Sequence, residues 1–233
     1  MKIIVDAFGG DNAPLEILRG CEMAVNELEI DILLTGDEQK IRACADENGI
    51  SLYRCEIVHA PTVVAMDDHA DAVIKSKKDS SLAEAMRQLA AGNGDAVVSA
   101  GSTGAVLMGG TFIVKRIKGI KRAALATLLP TDDGGHVMLL DSGANADCRP
   151  EILAQFALMG NEYMRGFFGM ERPRIGLLNV GTEDTKGDAL RKETFEVLKS
   201  MDINFIGNVE ARQVPMGEVD VVVCDGFSGN VLL

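Results

Sequence analysis

Short apolar runs that stop at a polar, glycine-containing loop recur along this chain, and helical periodicity usually follows. The stretch Leu177-Leu-Asn-Val-Gly-Thr-Glu-Asp-Thr-Lys-Gly187 is the fullest case. Its apolar run ends at Asn179, turns through Gly181 and meets Lys186 beside Gly187; a periodic segment then runs from Asp188 to Ser200. A buried strand, a tight turn that glycine permits and a helix N-terminus account for that order. Such a loop can turn backbone N–H groups toward an anion.

Comparable loops follow Asp6, Ser99, Asp141 and Asp225. Ligands of open α/β sheets gather at the carboxyl ends of strands, where strand order reverses, so all five loops are expected on one edge. Ala123–Leu129 and His136–Leu140 flank Pro130-Thr-Asp-Asp-Gly-Gly135 and read as a hairpin, which makes the sheet mixed but mostly parallel. Asp11 or Asn12 is expected to cap the first helix, with Pro14 in its first turn. Ser81 and Glu84 fit a capping box, Pro150 opens a long helix, and Val219–Cys224 reads as a long strand. No repeat or linker interrupts the series, so residues 1–233 read as a single α/β unit. A helix is just beginning at Val231-Leu-Leu233, from which the chain is expected to lack the C-terminal part of a longer domain.

Charge and composition exclude several classes. A net charge of −12 disfavours nucleic acid or an anionic membrane as a whole-surface partner, and the absence of Trp removes a stacking platform. The run Met1-Lys-Ile-Ile-Val-Asp6 is too short for a signal peptide and no stretch reaches a membrane span, which predicts a cytoplasmic protein. Five cysteines without CxxC spacing argue against disulfides and a thiolate metal site, and no metal or cofactor is expected. Gly181 to Gly187 resembles a P-loop but places Lys186 before the last glycine and lacks the Ser/Thr after it. The first loop reads Gly9-Gly-Asp11 rather than GxGxxG, and His59, His69 and His136 show no triad spacing.

Taken together, Ser99-Ala-Gly-Ser-Thr-Gly-Ala105, Arg116-Ile-Lys-Gly-Ile120, Asp141-Ser-Gly-Ala-Asn-Ala-Asp147, Gly176-Leu-Leu-Asn-Val-Gly-Thr-Glu183, Asn204 to Arg212 and Asp225-Gly-Phe-Ser-Gly-Asn230 resemble the bacterial phosphate acyltransferases of phospholipid synthesis. Asp6-Ala-Phe-Gly-Gly-Asp11 and Lys77-Lys-Asp-Ser-Ser81 fit the same family. The resemblance implies a three-layer α/β/α fold with a mixed, mostly parallel sheet, like isocitrate and isopropylmalate dehydrogenases. It implies transfer of a fatty acyl group from acyl carrier protein to inorganic phosphate, giving acyl phosphate. It also implies a homodimer, peripheral to the inner face of the membrane through a C-terminal part that this chain lacks. The family pattern has Asn where this chain has Ser102.

On that reading, Lys186, Asn145 and Asn230 are the catalytic candidates. Ser102, Thr103, Gly104, Asn179, Gly181 and Ser228 are expected to bind phosphate. The basic run Lys115, Arg116, Lys118, Lys121 and Arg122 is expected to dock the acidic carrier protein, although Arg116 also suits an inward ion pair. Lys186 has a plainer alternative, a solvated cation answering Glu183 or Asp184. Cys148 as an acyl-accepting nucleophile is disfavoured, because phosphate can attack directly. Two rivals remain: a coenzyme-A-dependent phosphotransacetylase, and a non-catalytic fragment that binds phosphate or acyl carrier.

Overall fold

The strands of this chain form two sheets, not one. In the computed structural model, which describes residues 1–233, the chain divides into two compact units, Met1–Ile117 and Lys118–Leu233. Where the sequence reads as one series of strands, the apolar runs carry no label for the sheet they join.

The first unit holds a parallel sheet in the order β3-β2-β1-β4, built from β1 (Lys2–Asp6), β2 (Asp31–Gly36), β3 (Cys55–His59) and β4 (Ala96–Val98). Alternate side chains serve its two faces. Val5, Ile32 and Leu34 pack with Leu18, Cys21 and Val25 of α1 (Leu15–Leu28) and with Ile41 and Ala45 of α2 (Glu38–Asn48). On the other face Ile4 and Leu33 meet Ala85 of α3 (Ser81–Ala90). A short α4 (Thr103–Gly109) follows β4 and continues as a π-helical turn, Gly110–Lys115.

Two of the expected caps move. Pro14 itself is the residue before α1, which has no side-chain cap, so neither Asp11 nor Asn12 serves. Ser80 caps α3 by accepting from Ala83 N; Ser81 is the first helical residue, and Glu84 pairs with Arg87 instead of closing a capping box. Two adjacent serines offer the same hydroxyl, and only backbone geometry chooses between them.

The second unit holds the order β5-β6-β9-β7-β8: β5 (Ala126–Pro130), β6 (His136–Leu140), β7 (Ile175–Leu178), β8 (Phe205–Val209) and β9 (Val221–Val223). The expected hairpin is present, since β5 pairs antiparallel with β6, and every other pair is parallel. The long strand expected from Val219 to Cys224 contributes only Val221–Val223 to regular structure. α5 (Pro150–Phe168) and α6 (Ala189–Lys199) cover one face, where Phe156, Met164 and Leu198 close on Leu140, Leu177 and Val223. Val137, Leu139 and Val222 belong to the opposite face, with Val209 and Val214. α7 (Gly226–Leu232) follows β9.

Strand order reverses once in each sheet. The first turns between β1 and β4, so the loops after Asp6 and Ser99 share that sheet's carboxyl edge. In the second, β6, β9 and β7 are adjacent and parallel, which gathers the loops after Asp141, Asp225 and Asn179. The five loops expected on one edge therefore divide two and three.

Phe156 is fully buried at the centre of the second unit's core. Phe156→Ala is expected to lower unfolding stability by roughly 3–5 kcal/mol, the usual cost of a cavity of that size. Urea denaturation followed by circular dichroism checks it.

Candidate active site

The loop after β6 is wrapped around one carboxylate. Asp141 is completely buried; its Oδ1 accepts from the N–H groups of Leu125, Gly143 and Ala144 at 3.0–3.2 Å. Its Oδ2 accepts from Asn145 N at 2.7 Å and Asn145 Nδ2 at 2.8 Å. Asn145 donates its second amide hydrogen to the Ala123 carbonyl at 2.8 Å, so both are committed to holding the loop. Charge-assisted bonds of this kind replace the water a buried carboxylate loses.

The loop after β9 lies directly against it. Gly226 N donates to the Asn145 carbonyl at 2.7 Å, and a Cβ at Gly226 would stand 2.8 Å from Asn145 N. A Cβ at Gly229 would run into the Asp141 carbonyl, so only glycine permits this approach. Asn230 reaches back toward the Ser142 carbonyl with Nδ2 at 3.5 Å.

Asp225 caps α7 through Ser228 N at 2.9 Å and accepts the Ser228 hydroxyl at 3.0 Å. It also holds an ion pair with Arg191. Arg191 projects from the first turn of α6, where Asp188 caps its N–H at 2.9 Å and takes its Nη1 at 3.0 Å. Its Nη2 also donates to Ser228 Oγ at 2.7 Å. One guanidinium thus ties the loop after β7 to the loop after β9. Sequence reasoning passed over Arg191 because inside Ala189-Leu-Arg-Lys-Glu193 it reads as an ordinary surface cation. The available signal was its position three residues after a capping aspartate.

Lys186 stands elsewhere. Its side chain is half exposed and leans on Glu183 at 3.9 Å, the plainer of the two sequence readings. Asn179 closes the loop around it, accepting from Val180 N at 2.8 Å and donating to the Lys186 carbonyl at 3.1 Å. Gly187 takes a φ of 91°, and a Cβ there would stand 2.7 Å from Asn179 Oδ1.

A cavity of about 900 Å3 opens at this edge. Its polar part is Asn179, Asp188, Arg191 and Ser228; Phe227 and Val231 represent its apolar part. Of the residues expected at a site in this unit, the cavity includes Asn179 and Ser228. Asn145 belongs to the loop after β6, Asn230 to α7 with its amide turned back toward the Ser142 carbonyl, and Lys186 to the loop beside the cavity.

Ser102, Thr103 and Gly104 lie in the first unit. Ser102 caps α4, its hydroxyl 3.5 Å from Ala105 N. In the same unit Asp6 accepts from Ser99 Oγ at 2.8 Å, Ser99 Oγ accepts from Gly101 N at 3.1 Å, and a Cβ at Gly9 would stand 2.7 Å from Asp6. The basic run joins the two units and is exposed throughout. Lys121 pairs with Glu151 at 3.7 Å and Arg122 donates to the Asp147 carbonyl at 2.8 Å. No cluster of three or more His, Cys, Asp or Glu is placed to hold a metal ion, and no helix is long and apolar enough to cross a membrane.

Cys148 is half-buried beside these loops. Burial, then the charges of Asp141 and Asp225, push its thiol from 9.0 up to about 11. The thiolate is the reactive form, so alkylation of Cys148 is expected to be slow at about pH 7.5 and to accelerate only as pH climbs toward 11. Peptide mass spectrometry after iodoacetamide treatment measures it; rapid labelling at neutral pH would contradict the assignment.

Comparison with known proteins bears on the whole chain. A family model described as "Fatty acid synthesis protein" matches residues 1–233. A phosphate acyltransferase of Desulforamulus reducens is 49% identical over 235 residues, covering 100% of this chain and 69% of that protein. One from Bacillus licheniformis is 50% identical over 234 residues, covering 100% and 70%. Among solved structures, a phosphotransacetylase from Streptococcus pyogenes superposes with a TM-score of 0.74 at 18% identity, over 99% of this chain and 79% of that one. The last likeness shows a shared α/β/α fold.

Proposed function

Starting from the chain's membership of the phosphate acyltransferase family, to which it belongs along its whole length, we propose that it moves a fatty acyl group from acyl carrier protein to inorganic phosphate. Acyl transfer to phosphate is the activity of the family; the carrier-bound donor is our reading. The observation that carries it is the two-part cavity at the switch point of the second sheet. Its polar side suits an oxyanion and its apolar side suits an alkyl chain.

Phosphate needs no strong base. An oxygen of monohydrogen phosphate attacks the thioester carbonyl, and the C–O bond forms as the C–S bond breaks. The electron pair leaves on sulfur, and the phosphate hydroxyl supplies the proton, giving acyl phosphate and a free thiol. Holding the two reactants in line supplies up to roughly 7–11 kcal/mol, and each donor aimed at the developing oxyanion about 3–4 kcal/mol. We assign the phosphate to Asn179 and Gly181, with Ser228 in the same cavity wall, Lys186 offsetting charge from the loop beside it and Asn230 facing the reacting carbonyl. Asn145 serves by fixing the loop, since its amide hydrogens are committed. Ser102, Thr103 and Gly104 are proposed as phosphate donors of the first unit.

The basic run supports a carrier partner. A chain of net charge −12 repels an acidic protein, and five cations at Lys115, Arg116, Lys118, Lys121 and Arg122 give a local exception. A homodimer that associates peripherally with the inner face of the membrane belongs to the same proposal.

Phosphate-dependent release of carrier thiol from a long-chain acyl carrier protein tests the function. Release from short-chain acyl-coenzyme A alone would mark a phosphotransacetylase instead, and no release would mark a binding protein. Reversing charge at Lys118 and Lys121 is expected to raise KM for the acyl carrier by about tenfold while leaving KM for phosphate nearly unchanged. Equal effects on both would remove the run from docking.

A further inference from the structure

We propose that Arg191 and Asp188 together receive a protonated tetrahedral oxyanion: Arg191 donates to it and Asp188 accepts its hydroxyl, so the site selects monohydrogen phosphate over sulfate. The inference deepens the proposed function and rests on phosphate binding in the cavity of the second unit.

Arg191 has five N–H bonds. Its Nη2 serves Asp225 and Ser228, and its Nη1 serves Asp188 once. One Nη1 hydrogen and the Nε hydrogen have no partner in the protein. Lys186, by contrast, leans on Glu183 outside the cavity. The guanidinium is held on three sides, little exposed, and forms part of the cavity wall, so its remaining donors are pre-set rather than searching.

Charge decides which anion fits. Arg191 stands between two carboxylates, which leaves the cluster with a net charge of −1. A fully deprotonated dianion brought here would meet repulsion that one guanidinium does not offset. An anion that carries a proton can place it on a carboxylate and turn that repulsion into a hydrogen bond. Asp225 is buried and already takes Ser228 N, Ser228 Oγ and Arg191. Asp188 is the carboxylate in the cavity wall, its side chain 60% exposed, with a lone pair left on each oxygen after serving Arg191. The same contact holds the proton that the leaving sulfur must acquire: it stays on the phosphate, shared with Asp188, until the C–S bond breaks and sulfur takes it.

Ser228 takes a different part from the one its sequence position suggests. Its only hydrogen goes to Asp225, and its oxygen accepts from Arg191. In this arrangement it orients the guanidinium and offers the anion no proton.

Titration calorimetry with inorganic phosphate, and with sulfate as competitor, tests the proposal on the chain as it stands. Wild type is expected to prefer phosphate over sulfate by at least about tenfold, because an acceptor facing an unprotonated oxygen is left unpaired. Asp188→Asn keeps the cap on α6 and is expected to bring that preference down to near parity. Arg191→Gln is expected to weaken phosphate binding by about tenfold or more, with Arg191→Lys intermediate, while KM for the acyl donor stays within about twofold. Thermal unfolding of each variant separates a folding defect from a binding one. Phosphate affinity unchanged in Arg191→Gln, or selectivity unchanged in Asp188→Asn, overturns the proposal, as does a wild type that binds no phosphate. If phosphate binds as described but no carrier thiol is released, the functional reading fails and this one stands.

Discussion

The buried carboxylate of Asp141 is the constraint on which the second unit's loop edge depends. It makes no ion pair and is solvated instead by five N–H bonds from Leu125, Gly143, Ala144 and Asn145. A buried charge left unpaired costs several kcal/mol, so the loop has little freedom to uncoil. That rigid coil is the floor against which Gly226 and Gly229 are pressed, and it sets where α7 begins. Asp225, one strand over, is compensated differently, by Arg191. Through that pair the position of α7 is passed on to α6, and three loops from separate parts of the chain become one surface.

Much of this was legible before any coordinates. An apolar run cut off by Asp-Ser-Gly or Asn-Val-Gly announces a strand end, and Pro150 announces a helix, because backbone constraints are local. The hairpin across Pro130–Gly135 followed from the same kind of signal. Which sheet a strand joins is not local. Val5 and Val223 read alike, and only the packing partners, α1 for one and α5 for the other, separate them. The site divided in the same manner. Asn179 and Ser228 were visible beside glycines, whereas Arg191 was hidden in a helix and became significant only when β9 came to lie beside β7. Lys186 drew attention by standing next to Gly187; its side chain leans on Glu183 in the loop beside the cavity.

The cavity places chemistry of opposite character side by side. Phe227 and Val231 come from α7, the same helix whose capping aspartate pairs with Arg191. An alkyl chain lying on those residues would have its carboxyl end at the polar wall, where we propose that phosphate binds. On the proposed function, a single short helix couples recognition of the acyl group to placement of the phosphate.

A crystal structure with a long-chain acyl phosphonate, a stable mimic of the product, tests this account most directly. The phosphonate head is expected within hydrogen-bond distance of Arg191 and its alkyl chain against Phe227 and Val231. A head group bound away from Arg191, with the cavity of the second unit empty, would contradict it.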